Sequence, residues 1–426
     1  MEVRDPIHGA IRLNAAETAL VDEPFVQRLR HIKQTGFSHL PFPGATHSRY
    51  SHCLGTLHLA GLAFDSVFRD WSFASSQKRD AFRQIVRVAA LCHDLGHAPF
   101  SHCTEFAMPQ LSALGLEGYT AAERRASHED YTIAILIKSG LAQTIEQSFP
   151  FTARHVAALV SDEVSCEEDF WLDGDRHYRR ILAQLISSEL DVDRLDYLPR
   201  DSYYTGARYG QVDVAWLLSN LEACEVDGAV SLALDRSAIY AFDDFMIARH
   251  HMFLMVYFHH RSVINEELLK RHVLEPGCPW RLPSELDAYL YMDDVWMEHE
   301  LRGCSDEWAR RVVEQRVYKR VVERHGAPHE IDLSTQVELL DDAGIDCIRS
   351  GSTGKLSRYN VFGQKRDRAP EIHVVDRLPG QAVQGVCTLA EATEVFHRYA
   401  DARRIERLYV APEQADRARQ VLGIQS

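Results

Sequence analysis

An apolar run that stops abruptly on a charged pair constrains this chain more than any other stretch. Ile85 to Cys92 contains one polar residue, Arg87, and leads directly into His93-Asp94, with His97 and His102 following within nine residues. Such a run predicts a helix buried on most sides. An imidazole and a carboxylate at its end are taken out of water, which costs free energy unless a partner compensates. A hydrogen-bonded His–Asp pair is one solution. A divalent cation is another, because it takes a neutral imidazole and a carboxylate together.

Two further stretches supply what a lone dyad lacks. Upstream, Phe42-Pro-Gly-Ala-Thr-His47-Ser-Arg49-Tyr-Ser-His52 forms a turn before an apolar helix predicted from Leu54 to Phe68. Downstream, Leu190, Asp193, Tyr197 and Asp201 follow at three- and four-residue steps, sharing one helical face with Ile186. Their helix is predicted over 177–198, with Pro199 kinking or ending it. Asp191 and Asp196 point elsewhere, to solvent or to ion pairs. His52, His93, Asp94 and Asp193 would then give one cation four protein ligands and leave positions open for water and substrate. Histidine and aspartate suit Mg, Mn, Fe, Co, Ni and Zn alike.

In this order, the residues resemble the HD phosphohydrolase superfamily. Asp5-Pro-Ile-His-Gly9, Gln27-Arg-Leu-Arg30, Ile32-Lys-Gln34, Phe42-Pro-Gly-Ala and the string from Leu91 to His102 are similar to the deoxynucleoside triphosphate (dNTP) triphosphohydrolases among them, over about residues 1–270. The resemblance implies hydrolysis of a dNTP to deoxynucleoside and tripolyphosphate, with an additional Mg²⁺ carried by the triphosphate. It implies that His128 protonates the leaving 5′ oxygen, and that Arg49, Arg194, Arg249 and Tyr257 contact phosphate and sugar. Tyr197 would pack where a 2′-hydroxyl would sit, and Gln34 and Asp201 would hold the 3′-hydroxyl. Asp22, Gln27 and Arg30 match a regulatory nucleotide site between subunits, implying a homo-oligomer (dimer or tetramer) and a nucleotide activator. Thr35 and His260 depart from the pattern, standing where the family has leucine and lysine.

Without the resemblance, His97, His102 and His128 are equivalent candidates for proton transfer, and Arg49, three residues before His52, is placed to reach phosphate oxygens. Ser127 and Asp130 form a capping-box variant that puts His128 in the first turn of a helix. Two other readings stay open: an HD enzyme acting on a nucleoside monophosphate or signalling nucleotide, and a non-catalytic nucleotide- or nucleic-acid-binding protein. A formal charge of −15 over 426 residues disfavours a general nucleic-acid surface. Nine cysteines without a Cys-x-x-Cys suggest free thiols in a reducing cytosol, so a cytoplasmic location is expected. No apolar run approaches a membrane span.

The expected fold is mainly α: a helical core with small β insertions and a C-terminal α/β appendage. Residues 1–283 read as an HD phosphohydrolase core, 284–326 as a helical extension and 327–426 as a small α/β region. Within these, residues 1–20 predict a two-stranded ribbon, and 22–34 predict a helix with Asp22 as N-cap. A β insertion is expected at 225–240, one long helix at 241–272, and helices through 284–325. Strands are expected at 336–340, 347–349, 372–375 and 408–411, with helices at about 389–402 and 412–422.

Overall fold

The computed structural model describes residues 1–117, 123–327, 329–354, 372–376, 385–395 and 403–424. Helices dominate, around one large apolar core that runs from Ile11 to Leu389. Two helices form its centre. Arg49–Val67 and Ser76–Cys92 pack along each other, and the second starts where Ser75 accepts a hydrogen bond from Lys78 N. Its first turns are half exposed and its last turns wholly buried, from Ile85 to Cys92, so the apolar run is the central helix. Replacing one such core aliphatic by alanine costs about 2–5 kcal/mol.

Glycines permit two close approaches that build the site. A β-carbon on Gly55 would lie 1.9 Å from Asp196 Oδ1, so the helix Arg49–Val67 can press on the helix Val192–Thr205 only with glycine there. A β-carbon on Gly96 would lie 2.0 Å from the His128 carbonyl oxygen, so the turn after the dyad meets the helix His128–Lys138 the same way. Between His97 and His102 the chain turns through two left-handed non-glycine residues, Phe100 (φ 57°) and Ser101 (φ 60°). Each costs about 1–2 kcal/mol. Buried Asp294 accepts from Phe100 N, and Ser101 Oγ donates to the Lys33 carbonyl, which holds the turn.

Several elements differ from the sequence reading. Residues 2–12 form the expected ribbon, Glu2–Asp5 against Gly9–Arg12. Next comes an unforeseen helix, Ala15–Val21, with an Asn14/Glu17 capping box. Asp22 therefore C-caps that helix and is not the N-cap of the next, which is Pro24–Arg28 followed by a 3₁₀ turn, Leu29–His31. The helix predicted over 177–198 is two, Arg179–Ile186 and Val192–Thr205, because Asp191 accepts from Arg194 N and starts a new one. Ile186 and Leu190 thus lie outside the helix of Asp193. Pro199 sits inside that helix, which ends at left-handed Gly206. The long helix expected at 241–272 is Ile239–Met252, a π turn at Phe253–Tyr257, and His260–Leu274. Residues 319–326, read as helical, are a strand, and 336–340, read as a strand, lie in the helix Ser334–Asp342.

Strand pairing links distant sequence. The hairpin Leu221–Val226/Ala229–Asp235 continues, through parallel pairing of Ala229–Asp235 with His373–Asp376, to Gly385–Thr388. A second sheet places Arg403–Val410 between Lys319–Gly326 and Cys347–Gly354, backed by the helix Ala415–Val421. Of the helix expected at 389–402, Leu389–Ala392 is present, and 396–402 lie outside the described residues. No helix among the described residues is long and apolar enough to cross a membrane, and none of the nine cysteines is in a disulfide.

Candidate metal centre

His52 sits in the first turn of its helix, His93 caps the central helix, Asp94 follows it, and Asp193 lies in the first turn of Val192–Thr205. Three segments distant in sequence thus meet at one point. His52 Nε2 is 3.0 Å from Asp193 Oδ1 and 3.6 Å from Asp94 Oδ2. His93 Nε2 is 3.4 Å from Asp94 Oδ1 and 3.6 Å from Asp193 Oδ1. Donors at about 2.1 Å from an octahedral cation sit about 3 Å apart, so this spacing suits one ion. Both Nε2 atoms are buried and complete no hydrogen bond. The side chain of Asp193 is 35% exposed, which leaves that side of the cluster open. The residues present fit a divalent cation.

The opposite nitrogens are fixed. His93 Nδ1 lies 2.8 Å from the Ala90 carbonyl oxygen, and His52 Nδ1 lies 2.7 Å from Asp196 Oδ2. Asp196, which the sequence reading turned away, is fully buried behind His52 and belongs to a network rather than to solvent. Arg200 donates to both its oxygens and to Asp5, and His8 Nε2 lies 2.6 Å from Asp196 Oδ1. The Asp5-Pro-Ile-His-Gly9 motif therefore reaches the back of a candidate ligand. Asp191, its companion, is also buried, paired with Arg194 at 3.1 Å.

Burial lowers the His52 pKa, but the Asp193 and Asp196 carboxylates beside its two ring nitrogens outweigh it and carry it up to about 10. His93 moves the same way: burial opposes, while Asp94 and Asp193 raise it. Against burial, His52 and His93 hold Asp193 below the ordinary carboxylate range, and Arg49, His93 and His97 do the same for Asp94. The cluster is an anionic socket that attracts positive charge, a proton or a metal.

Beside it lies a second cluster. His97 stacks on His128 with centroids 4.1 Å apart and planes at 11°, and His102 stands edge-on to both. His97 Nε2 is 3.1 Å from Asp94 Oδ1, so the two clusters meet at that carboxylate. Burial, Arg49 and His128 push His97 well below its ordinary value. Glu105, absent from the sequence reading, takes His128 N at 3.1 Å and lies 2.9 Å from His128 Nδ1, with His102 Nδ1 3.2 Å from its other oxygen. Its only trace in the sequence is its position three residues after His102. Against burial, these histidines hold its carboxyl below the usual range. Arg28, donating to the His97 carbonyl at 2.8 Å, fixes the intervening turn.

The substrate candidates form a third group. Arg49 pairs with Asp94 and donates to Ser101 Oγ at 2.8 Å, which places its charge at the edge of the metal-type cluster. Asp201 is buried between His47 Nε2 at 2.6 Å and the Tyr257 hydroxyl, which donates at 2.7 Å. Gln34 N donates to the His47 carbonyl, while Gln34 Oε1 is buried and accepts nothing. Tyr197 stands edge-on to Tyr257 at 6.3 Å, and Arg249 and Arg194 are near enough to act electrostatically on its hydroxyl. His47 precedes Arg49 and His52 by two and five residues, and its role comes from Asp201, a residue distant in sequence. Among the regulatory candidates, Gln27 Oε1 accepts from Arg30, whose guanidinium lies over Tyr50, and Asp22 is exposed nearby.

The HD domain family matches residues 49–199, and the HD associated region matches 212–338. An uncharacterized protein of Methanocaldococcus jannaschii is 29% identical over 75% of this chain and 59% of its own. The deoxynucleoside triphosphate triphosphohydrolase SAMHD1 of Gallus gallus is 31% identical over 52% of this chain and 36% of its own. The chain thus spans about a third to three-fifths of these relatives. A hypothetical protein from Aquifex aeolicus has the same fold, with TM-score 0.76, 24% identity and 99% of both chains covered. With its dyad, its flanking histidine and distant aspartate, and these matches, the chain contains an HD domain followed by an HD associated region.

Proposed function

We propose that the chain hydrolyses deoxynucleoside triphosphates to deoxynucleoside and tripolyphosphate, with one divalent cation held by His52, His93, Asp94 and Asp193. The observation that carries this reading is a group of buried polar atoms: Asp201 clamped by His47 and Tyr257, and a Gln34 oxygen, on the residue whose N–H bonds the His47 carbonyl, that accepts nothing. Such a pair suits a sugar hydroxyl, and an analogue lacking that hydroxyl would leave buried polar atoms unpaired. Tyr197 packs beside it, where it would exclude a 2′-hydroxyl.

A bound cation supplies Lewis-acid polarisation of a phosphate oxygen and a lowered water pKa. The chain does the rest. Arg49, Arg194 and Arg249 neutralise oxygen charge as it shifts during phosphoryl transfer. Glu105 fixes His128 through Nδ1, leaving Nε2 to give its proton to the leaving 5′ oxygen, and His97 keeps that ring from tilting. The same reading makes Asp22, Gln27 and Arg30 part of a second nucleotide site in a homo-oligomer. The test is chromatography of products from four dNTPs and four rNTPs with several metals. Tripolyphosphate and deoxynucleoside are expected. Orthophosphate or pyrophosphate in their place would move the chain to another HD phosphohydrolase activity.

A further inference from the structure

Far along the sequence from the HD residues, two stretches bring two thiols, an imidazole and a carboxylate together. His272 lies near the end of the helix His260–Leu274, and Cys278 lies in the turn after it. Cys304 caps the end of the helix Asp294–Gly303, and Asp306 caps the start of Glu307–Val313. His272 is 1% exposed, and its Nε2 lies 3.9 Å from Cys278 Sγ and 4.0 Å from Cys304 Sγ. Its other nitrogen, Nδ1, is buried, completes no hydrogen bond, and lies 2.9 Å from Asp306 Oδ2. Asp306 Oδ1 is already used, accepting from Ala309 N at 3.0 Å to cap its helix. The wall is apolar, with Trp280, Met297, Leu301 and Ala309 in one buried cluster.

We propose that Cys278, Cys304 and His272 Nε2 bind a zinc ion, with Asp306 orienting the imidazole through Nδ1 and solvent filling the fourth position. The site needs nothing from the hydrolase reading. Two sulfurs and one imidazole select zinc over Mg²⁺, Mn²⁺ or Ca²⁺, which prefer oxygen. Zinc–sulfur and zinc–nitrogen bonds of about 2.3 and 2.0 Å in a tetrahedron put sulfur and nitrogen about 3.5 Å apart. The observed separations exceed that by about half an ångström, a movement one rotatable cysteine bond can make. A carboxylate on the far nitrogen is the usual support of a zinc-bound histidine. Bound zinc would tie three helix ends together on the side where the strand Lys319–Gly326 begins.

The test uses the intact chain, stripped of metal by chelator and titrated with Co²⁺. A near-ultraviolet thiolate-to-cobalt band saturating at about one equivalent is expected, because the HD cluster offers no sulfur. The band should persist in Asp193→Ala and fall by at least about half in Cys278→Ser and in Cys304→Ser. If a cysteine variant fails to fold, mass spectrometry of the alkylated wild-type chain decides. Zinc should protect Cys278 and Cys304 and leave the labelling of the other cysteines unchanged. No cobalt–thiolate band in the wild-type chain, a band undiminished in both cysteine variants, or protection of other cysteines instead would overturn the proposal and leave a buried His–Asp pair beside two thiols.

Discussion

The His52–His93–Asp94–Asp193 cluster and the His97–His102–His128 cluster both gather three or more potential metal donors, and they touch at Asp94. Their surroundings set them apart. The first is flanked by Asp196 behind His52 and by two carboxylates in front, so its histidines are drawn toward positive charge. The second contains one carboxylate, Glu105, shared by two rings, while burial, Arg49 and the His128 imidazole hold His97 well below its ordinary value. Similar residues, differently charged neighbours: on the proposed reading one cluster holds a cation and the other handles protons. Residue type alone does not assign the role; the second layer does.

Three substitutions test that division, in descending order of effect, and a fourth probes the fold around it. Asp193→Ala should take both metal content and nucleotide turnover to background while circular dichroism stays native; full activity in this variant would refute the cation site. His128→Ala should lower kcat by about 10²–10⁴-fold yet keep metal stoichiometry, the reverse pairing from Asp193→Ala. Loss of metal there would merge the two clusters into one. Glu105→Gln should cost roughly ten- to a hundredfold in kcat, the scale of removing a partner that orients a working histidine, again with metal retained.

The smallest effect lies outside both clusters. Burial, helped by Glu267, raises the Glu266 carboxyl from 4.5 to about 7, with only the Cys103 contact opposing. A carboxyl raised in the fold gives up stability as pH climbs between those values, and the loss is complete above pH 7. Glu266→Gln should therefore stabilise the protein by about 1–3 kcal/mol at pH 8 and by almost nothing at pH 4.5. Paired melting curves at the two pH values check the sign, and a larger gain at the acidic pH would contradict it.

The parts of this architecture written locally were legible in the sequence. The apolar run from Ile85 could only be a buried helix, and its His–Asp ending announced the site. The Ser127/Asp130 box placed His128 at a helix start by itself. What escaped reading depends on distant partners. The spacing of Asp196 from Asp193 turns it away, to solvent or to an ion pair; the ion pair with Arg200 is present, but that Arg200, Asp5 and His8 bury it as a support for His52 is not visible in that spacing. Glu105 and His47 acquire meaning only from His128 and Asp201, 23 and 154 residues away. Residues 336–340 were misread because the window was too short. Leu333, Val337 and Leu340 face one small core at helical spacing that five residues do not reveal. The four-stranded sheet was hidden for a similar reason, since Ala233 pairs with His373.

The account rests on one cation shared by His52, His93, Asp94 and Asp193. The most direct measurement is anomalous diffraction from a crystal grown with Mn²⁺. The predicted result is a single strong peak within bonding distance of all four side chains, with none among His97, His102 and His128. A peak centred on those three histidines, or no peak at the dyad with the metal in excess, would contradict it.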